Sequence, residues 1–319
     1  MGAIPPLNEA DWLDAFNKYK AFPQFKLVNA AMTVSEFKFI FFWEWFHRLL
    51  GRAIGIAYLL PLGFFVTKYR FTRAIKNQLF LGFFLGLLQG LMGWLMVMSG
   101  LVDIPRVSHF RLAAHFMLAI AILGYLTWII LDHTRPQRTL APVRSNRFNA
   151  IAVYSVGILT LIQLTWGAFT AGLKAGFGFN TYPLMNGQWV PLDVFFQLEN
   201  SLSVFISHPP AVQWGHRTLG LALLVLTLVA WLGSAKRVNF QVTTQPTNTH
   251  ESSTLSRSFF LVFLATSIQF CLGIATLVLI VPVTLAVTHQ LGGVLVFLAT
   301  VNLMHHYKMT AATSLEQPF

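Results

Sequence analysis

Seven long apolar segments are the feature that most restricts how this chain can fold. A helix needs about 20 apolar residues to cross a bilayer, and in lipid a crossing segment must satisfy its own backbone hydrogen bonds, as a helix does. The pattern therefore predicts an all-α integral membrane protein with seven transmembrane helices. The predicted spans are 39–66, 77–100, 109–131, 148–173, 209–234, 257–280 and 284–306.

The composition agrees with a membrane protein. Of the 319 residues, 55% are hydrophobic and only 10% are charged, whereas about a quarter are charged in a soluble domain. The net charge is +11, but the basic residues are scattered between apolar segments, which argues against nucleic-acid binding and leaves the lipid bilayer as the partner. The single cysteine, Cys271, excludes an internal disulfide and a cysteine-based metal cluster.

The basic residues predict the orientation of the chain. Three loops rich in Lys and Arg alternate with connections that are not strongly basic, and basic loops face the inner side of a membrane. The N-terminal stretch 1–38 is therefore expected on the outer side, like the non-basic connections. The basic loops are 67–76, 132–147 and 235–256; the other connections are 101–108, 174–208 and the turn near Pro282.

An internal repeat relates the two halves of the chain. The segments "HRLLG" at 47 and "HRTLG" at 216 match, as do "QGLMG" (89–93) and "QFCLG" (269–273), and each second segment is followed by a Pro-containing connection and a helix with one histidine near its start. The repeat predicts two pseudo-repeated helical bundles, residues 1–135 and 136–319. The helix 148–173 has no counterpart in the first half, so we expect an eight-helix architecture that lacks its first helix.

Four histidines occupy equivalent positions in the repeat and are predicted at the outer helix ends: His47, His115, His216 and His289. A small residue follows each by four positions, on the same helix face, where a flat porphyrin would need room; these residues are Gly51, Ala119, Gly220 and Gly293. Since neutral imidazole is a common axial ligand of haem iron, we predict haem ligation by all four histidines. The alternative is a polar residue satisfied by the protein, with the small residue as a packing contact. The remaining histidines are interpreted as solvated or interfacial: His109, His133, His208, His250, His305 and His306.

Charged neighbours distinguish the two halves. Arg48 and Arg217 directly follow two of the histidines and are predicted to bind haem propionates, because guanidinium pairs with carboxylate; the alternative is snorkelling toward headgroups. Glu44 stands one turn before His47, whereas the matching residue in the second half is Gln213. Only a carboxylate can accept a proton or oppose a developing positive charge, which predicts a catalytic first half and a supporting second half.

Several motifs resemble the heme A synthase family, in the mitochondrial and proteobacterial branch that lacks paired loop cysteines. They are "EWFHRLLGR", "IPRVSHFRLAAH", "NTYPLMNGQWVP", "VQWGHRTLG" and "THQLGG". The resemblance covers nearly the whole chain and implies two four-helix bundles in a bacterial cytoplasmic or mitochondrial inner membrane. The implied activity is oxidation of the C8 methyl group of heme O to the formyl group of heme A, for terminal oxidase biogenesis.

The resemblance also implies roles for individual residues. His47, His115 and Glu44 would form the catalytic site for the substrate, heme O, and His216 and His289 would bind a resident haem b. Expected protein partners are heme O synthase and cytochrome oxidase assembly proteins. Two alternatives from other functional classes are a diheme b-type electron-transfer cytochrome and a haem-delivery protein. The cytochrome explains the four histidines but not the difference between Glu44 and Gln213, and haem delivery predicts reversible haem loss without oxygen dependence.

Overall fold

The computed structural model describes residues 4–98, 105–135, 147–192, 201, 203–244 and 249–312. These parts of the chain are helical and contain no β-strand, only one isolated bridge between Met185 and Gln188. The helices are α1 (Glu9–Lys20), α2 (Pro23–Leu27), α3 (Val34–Lys68), α4 (Arg73–Met98), α5 (His109–Thr134), α6 (Arg147–Gly172), α7 (Val204–Ser207), α8 (Pro209–Thr244), α9 (Thr249–Val278) and α10 (Val283–Ala312), with a short 3₁₀ turn at Ala175–Phe177.

Seven helices in the described residues are long and apolar enough to cross a membrane: α3, α4, α5, α6, α8, α9 and α10. They coincide with the seven predicted spans, which confirms an all-α integral membrane protein. The ends differ by up to ten residues, most at the end of α8, which continues to Thr244, because helices extend into the polar sequence beyond the apolar segments. At the start of α3, for example, Thr33 and Glu36 form a capping box, in which each side chain accepts a hydrogen bond from the other residue's backbone N–H.

The first compact unit, Met1–Ile122, contains an aromatic cluster that joins α1 to α3. Phe16 on α1 packs against Phe37 and Phe41 on α3, and all three are buried. Trp12 contacts Phe41 edge to face, with ring centroids 5.1 Å apart. The predicted outer N-terminal stretch is therefore partly helical and is attached to α3 through apolar contacts.

The second unit, Leu123–Phe319, contains a four-helix bundle. Helix α6 packs on α8, α8 on α9, α9 on α10 and α10 on α6, so α8 and α10 lie diagonally across the bundle. Its core includes Val153, Phe259 and Leu303, each almost completely buried. The units divide inside α5, and the boundary predicted between residues 135 and 136 stays a prediction.

One histidine differs from its predicted environment. His305 was interpreted as solvated or interfacial, but its side chain is completely buried, and its Nε2 lies 2.8 Å from Oδ1 of Asp132. That interpretation is wrong because helix packing brings α5 and α10 together, which supplies a carboxylate far away in sequence. His306 is also partly buried, with Nδ1 3.3 Å from the hydroxyl of Ser258. Among the loop residues used for orientation, Arg138 and Arg144 lie outside the described residues, as does the side chain of His250.

Candidate functional site

The two histidines of the second half face each other across the bundle. His216 projects from α8 and His289 from α10, and their ring centroids are 6.3 Å apart with an angle of 87° between the ring planes. A metal–imidazole nitrogen bond measures about 2.0–2.1 Å, so two imidazoles on opposite sides of one metal ion have ring centres about 6 Å apart. The observed separation matches a pair of axial ligands that share one haem iron.

A glutamine from the neighbouring helix contacts each of these histidines. The Nε2 of Gln163 on α6 donates to the backbone oxygen of His216 at 3.1 Å and lies 3.2 Å from its ring Nδ1. The Nε2 of Gln269 on α9 donates to the backbone oxygen of His289 at 2.7 Å and lies 3.0 Å from its Nδ1. Each histidine is thus held at both its backbone and its ring by one side chain.

These glutamines pack beside the small residues that the sequence interpretation left as room for a porphyrin. A Cβ atom added at Gly220 would lie 3.1 Å from Nε2 of Gln163, and one added at Gly293 would lie 3.5 Å from Nε2 of Gln269. Gly220 therefore makes room for Gln163, whereas Gln269 is accommodated by Gly292, where an added Cβ would lie 2.1 Å from its Oε1. At Gly51, in the first half, nothing lies within 4 Å of such a Cβ.

Arg217 presents unused hydrogen-bond donors beside His216. Its Nη2 donates to the backbone oxygens of Phe179 and Thr181, at 2.5 and 2.9 Å. Its Nε and Nη1 are buried and have no hydrogen-bond partner in the described part of the chain. A buried cation with free donors is costly unless an anion pairs with it, and a carboxylate matches the guanidinium geometry. The ring separation and this arginine together fit a haem that carries propionate groups.

The first half has a related arrangement on α3, α4 and α5. The Nε2 of Gln89 donates to the backbone oxygen of His115 at 3.1 Å and lies 3.4 Å from a ring nitrogen of the same residue. His47, on α3, is close enough to His115 for the two to interact electrostatically, but its side chain is exposed. The predicted residues of this half therefore share one end of their helices.

Glu44 and Arg48 form an ion pair on α3. The carboxylate and the guanidinium are one turn apart, and their side chains are 43% and 35% exposed. The corresponding residue of the second half, Gln213, is buried and donates to the backbone oxygen of Gly178 at 2.7 Å. The predicted asymmetry therefore has a structural counterpart: an accessible carboxylate in one half and a buried amide attached to a loop in the other.

Sequence reasoning gave no role to the three glutamines that contact the histidines. The segments "QGLMG" and "QFCLG" belong to the repeat, and "QLTWG" at 163–167 is a third segment of the same form. A glutamine followed four residues later by glycine, on the helix before each histidine helix, was the signal that would have identified all three.

Comparison with known proteins identifies the family of this chain. The family model described as cytochrome oxidase assembly protein matches residues 1–301. The heme A synthase of Nitrosospira multiformis is 40% identical over 308 residues, which cover 97% of this chain and 83% of that protein. The heme A synthases of Paramagnetospirillum magneticum and Rhodopseudomonas palustris are 42% and 40% identical, over 91% and 99% of this chain and 78% and 83% of their own lengths. The chain therefore belongs to the COX15-CtaA family of cytochrome oxidase assembly proteins.

Proposed function

We propose that this chain is a heme A synthase, an oxidoreductase that converts the C8 methyl group of heme O to the formyl group of heme A. The relatives named heme A synthase, about 40% identical over more than nine-tenths of the chain, support this assignment. The single structural observation that carries it is the pair of imidazoles 6.3 Å apart across a membrane bundle, a geometry suited to haem.

The second half would hold the resident cofactor, haem b, which supplies one-electron redox chemistry when bound. His216 and His289 would ligate its iron. The unpaired Nε and Nη1 of Arg217 would bind a propionate, since a buried guanidinium and a carboxylate satisfy each other with parallel hydrogen bonds. Arg217 is otherwise attached to the loop at Phe179 and Thr181, so the loop fixes the orientation of the guanidinium.

The first half binds heme O through His47 and His115, and Glu44 serves the chemistry. Conversion of a methyl group to an aldehyde adds one oxygen atom and is a four-electron oxidation. With water as the oxygen donor it releases four protons and four electrons, which must leave the site. Glu44 lies one turn from His47, where its carboxylate accepts a proton or opposes positive charge at carbon. Arg48 pairs with Glu44, and a guanidinium can also bind a haem propionate.

The position of both sites follows from the orientation of the helices. The basic loops lie on the inner side, so the histidine ends of the helices face the periplasm of a bacterium or the mitochondrial intermembrane space. Heme O synthase is the expected source of the substrate, and cytochrome oxidase assembly proteins are the expected recipients of the product.

Product analysis tests the assignment. The chain is expressed in cells that make heme O but lack heme A synthase, and the extracted haem is resolved by chromatography and mass spectrometry. We expect heme A with the wild-type chain. Glu44→Gln should retain haem but accumulate heme O or a hydroxylated intermediate, because removal of a general acid–base group costs about 10²–10⁴ in rate.

Glu36→Gln is the matched control. Glu36 is an exposed acid of the same helix that caps Thr33, and glutamine can also serve in a capping box, so heme A formation should continue. Wild-type protein that contains only haem b would favour an electron-transfer cytochrome, and heme O that is bound reversibly but never oxidised would favour haem delivery. Normal heme A formation by Glu44→Gln would show that Glu44 has no role in the oxidation.

A further inference from the structure

Three helices carry the same short segment, Q-x-x-x-G, at the level of a histidine on a neighbouring helix. The segments are Gln89–Gly93 on α4, Gln163–Gly167 on α6 and Gln269–Gly273 on α9. Residues four apart lie on the same face of a helix, so the glutamine and the glycine of each segment face the same neighbour. The three histidines that they contact are His115, His216 and His289.

The glycine of each segment lies against the edge of the imidazole. A Cβ atom at Gly93 would be 3.1 Å from Cε1 of His115, at Gly167 3.2 Å from Cε1 of His216, and at Gly273 2.9 Å from Cε1 of His289. Distances this short leave no room for a larger residue unless the ring moves. Each ring is thus in contact with the neighbouring helix along one edge.

The glutamine controls the remaining freedom of the ring. Its Nε2 donates to the backbone oxygen of the histidine at 3.1 Å in α4, 3.1 Å in α6 and 2.7 Å in α9. The same atom lies 3.4 Å from Nε2 of His115, 3.2 Å from Nδ1 of His216 and 3.0 Å from Nδ1 of His289. A side chain that contacts both the backbone and the ring of one residue opposes rotation of that ring.

The carboxamide oxygen of each glutamine is an available hydrogen-bond acceptor. The Oε1 atoms of Gln89, Gln163 and Gln269 are all buried without a hydrogen-bond partner among the described residues. A buried acceptor without a partner is unfavourable, so each Oε1 is available to accept a hydrogen bond. A metal-ligating histidine usually donates its other ring N–H to an acceptor, which fixes the tautomer and the ring orientation.

We propose that the Q-x-x-x-G segments position the histidines as haem ligands, with the glycine admitting the imidazole edge and the glutamine setting its rotation. The inference rests on the proposed haem binding by the histidines. The carboxamide carries both a donor and an acceptor, and turned about its terminal bond it would present Oε1 to a ring N–H in place of the Nε2 bond to the backbone oxygen. Gln89, Gln163 and Gln269 are positioning residues, since they act through the histidines.

Spectroscopy of the second-half haem tests the proposal. The variants Gln163→Leu and Gln269→Leu remove both polar groups at similar volume. Loss of an outer partner of a metal ligand typically costs about 10–100-fold in metal affinity, and we expect a loss of that size in haem affinity, measured as transfer to an apo-globin acceptor. The haem that remains should show a smaller low-spin fraction and a changed midpoint potential.

Two buried hydroxyls provide matched controls. Thr160 lies on α6 and Thr276 on α9, and each donates to a backbone oxygen of its own helix, at 2.7 Å in both cases. Thr160→Val and Thr276→Val remove a buried polar group from the same helices without touching a histidine. Their haem spectrum, haem affinity and midpoint potential should equal those of the wild type.

A second pair of variants applies if the leucine variants fail to fold. Gln163→Glu and Gln269→Glu retain an acceptor for the ring N–H, and a carboxylate raises the basicity of the ligand, so the low-spin spectrum should persist with a lower midpoint potential. Glutamine variants that lower only the unfolding temperature, with the spectrum and potential of the wild type, would overturn the proposal. Wild-type protein without bis-histidine haem would instead overturn the proposed function.

Discussion

At the residue scale, the contact between His305 and Asp132 shows how helix packing changes the role of a polar side chain. His305 is completely buried, and Asp132 is its carboxylate partner at 2.8 Å. Asp132→Ala leaves the imidazole buried without this partner, and we expect the free energy of unfolding to fall by about 1–3 kcal/mol. Thermal unfolding of the purified protein in detergent measures the effect.

The adjacent residue of α5 is the control for that prediction. His133 is exposed, and its Nδ1 lies 2.8 Å from the backbone oxygen of Ile129 in its own helix. His133→Ala should change the stability by less than about 0.5 kcal/mol, as is usual for a surface substitution. Equal effects of the two substitutions would mean that the contact between α5 and α10 contributes nothing to stability.

At the scale of the element, the attachment of α1 to α3 depends on the aromatic cluster. Phe37 is 2% exposed and stacks on Tyr19 with ring centroids 5.1 Å apart. Truncation of a buried phenylalanine to alanine costs about 3–5 kcal/mol, enough to detach a helix of 12 residues from its support. In Phe37→Ala, amide hydrogen exchange across Glu9–Lys20 should therefore become faster.

An exposed phenylalanine of the same helix, Phe39, provides the control for Phe37→Ala. Phe39 is two residues from Phe37 but on the other side of α3, where it is 66% exposed. Phe39→Ala removes the same side chain without removing a contact of α1, so exchange in α1 should match the wild type. Faster exchange in both variants would locate the support of α1 outside the aromatic cluster.

At the scale of the whole molecule, the helix lengths and the basic loops together predict the orientation in the membrane. The segment Pro209–Lys236 of α8 has 28 residues, a length of about 42 Å at 1.5 Å per residue, which exceeds the apolar thickness of about 30 Å. Trp189 lies beside the start of this helix, where its backbone oxygen accepts from Trp214 at 3.2 Å. We therefore expect Trp189 and Lys236 on opposite sides of the bilayer.

Labelling with a membrane-impermeant thiol reagent tests this orientation. In a Cys271→Ser background, Trp189→Cys should react in intact cells or mitoplasts, whereas Lys236→Cys should react only after the membrane is permeabilised. Both residues are exposed, so access to the reagent depends on the membrane. The reverse pattern would move the histidine ends of the helices to the inner side.

The sequence by itself determined the fold class and the positions of the spans. Apolar segments of bilayer length form helices whatever their neighbours are, because lipid offers no hydrogen bonds to the backbone. The repeat also selected four histidines as equivalent positions, and two of them, His216 and His289, are a facing pair. These features depend on local composition and on order along the chain, which a sequence contains directly.

The contacts between side chains on different helices follow only from the packing of those helices. Gln163 lies against Gly220, a contact that the repeat does not contain, and the interpretation of His305 as solvated or interfacial is wrong because Asp132, a residue 173 positions away, is its partner. Such contacts depend on the rotation and spacing of packed helices. Because a helix presents its side chains to whichever neighbour packs against it, sequence periodicity identifies a face, while the partner of that face is set by the bundle.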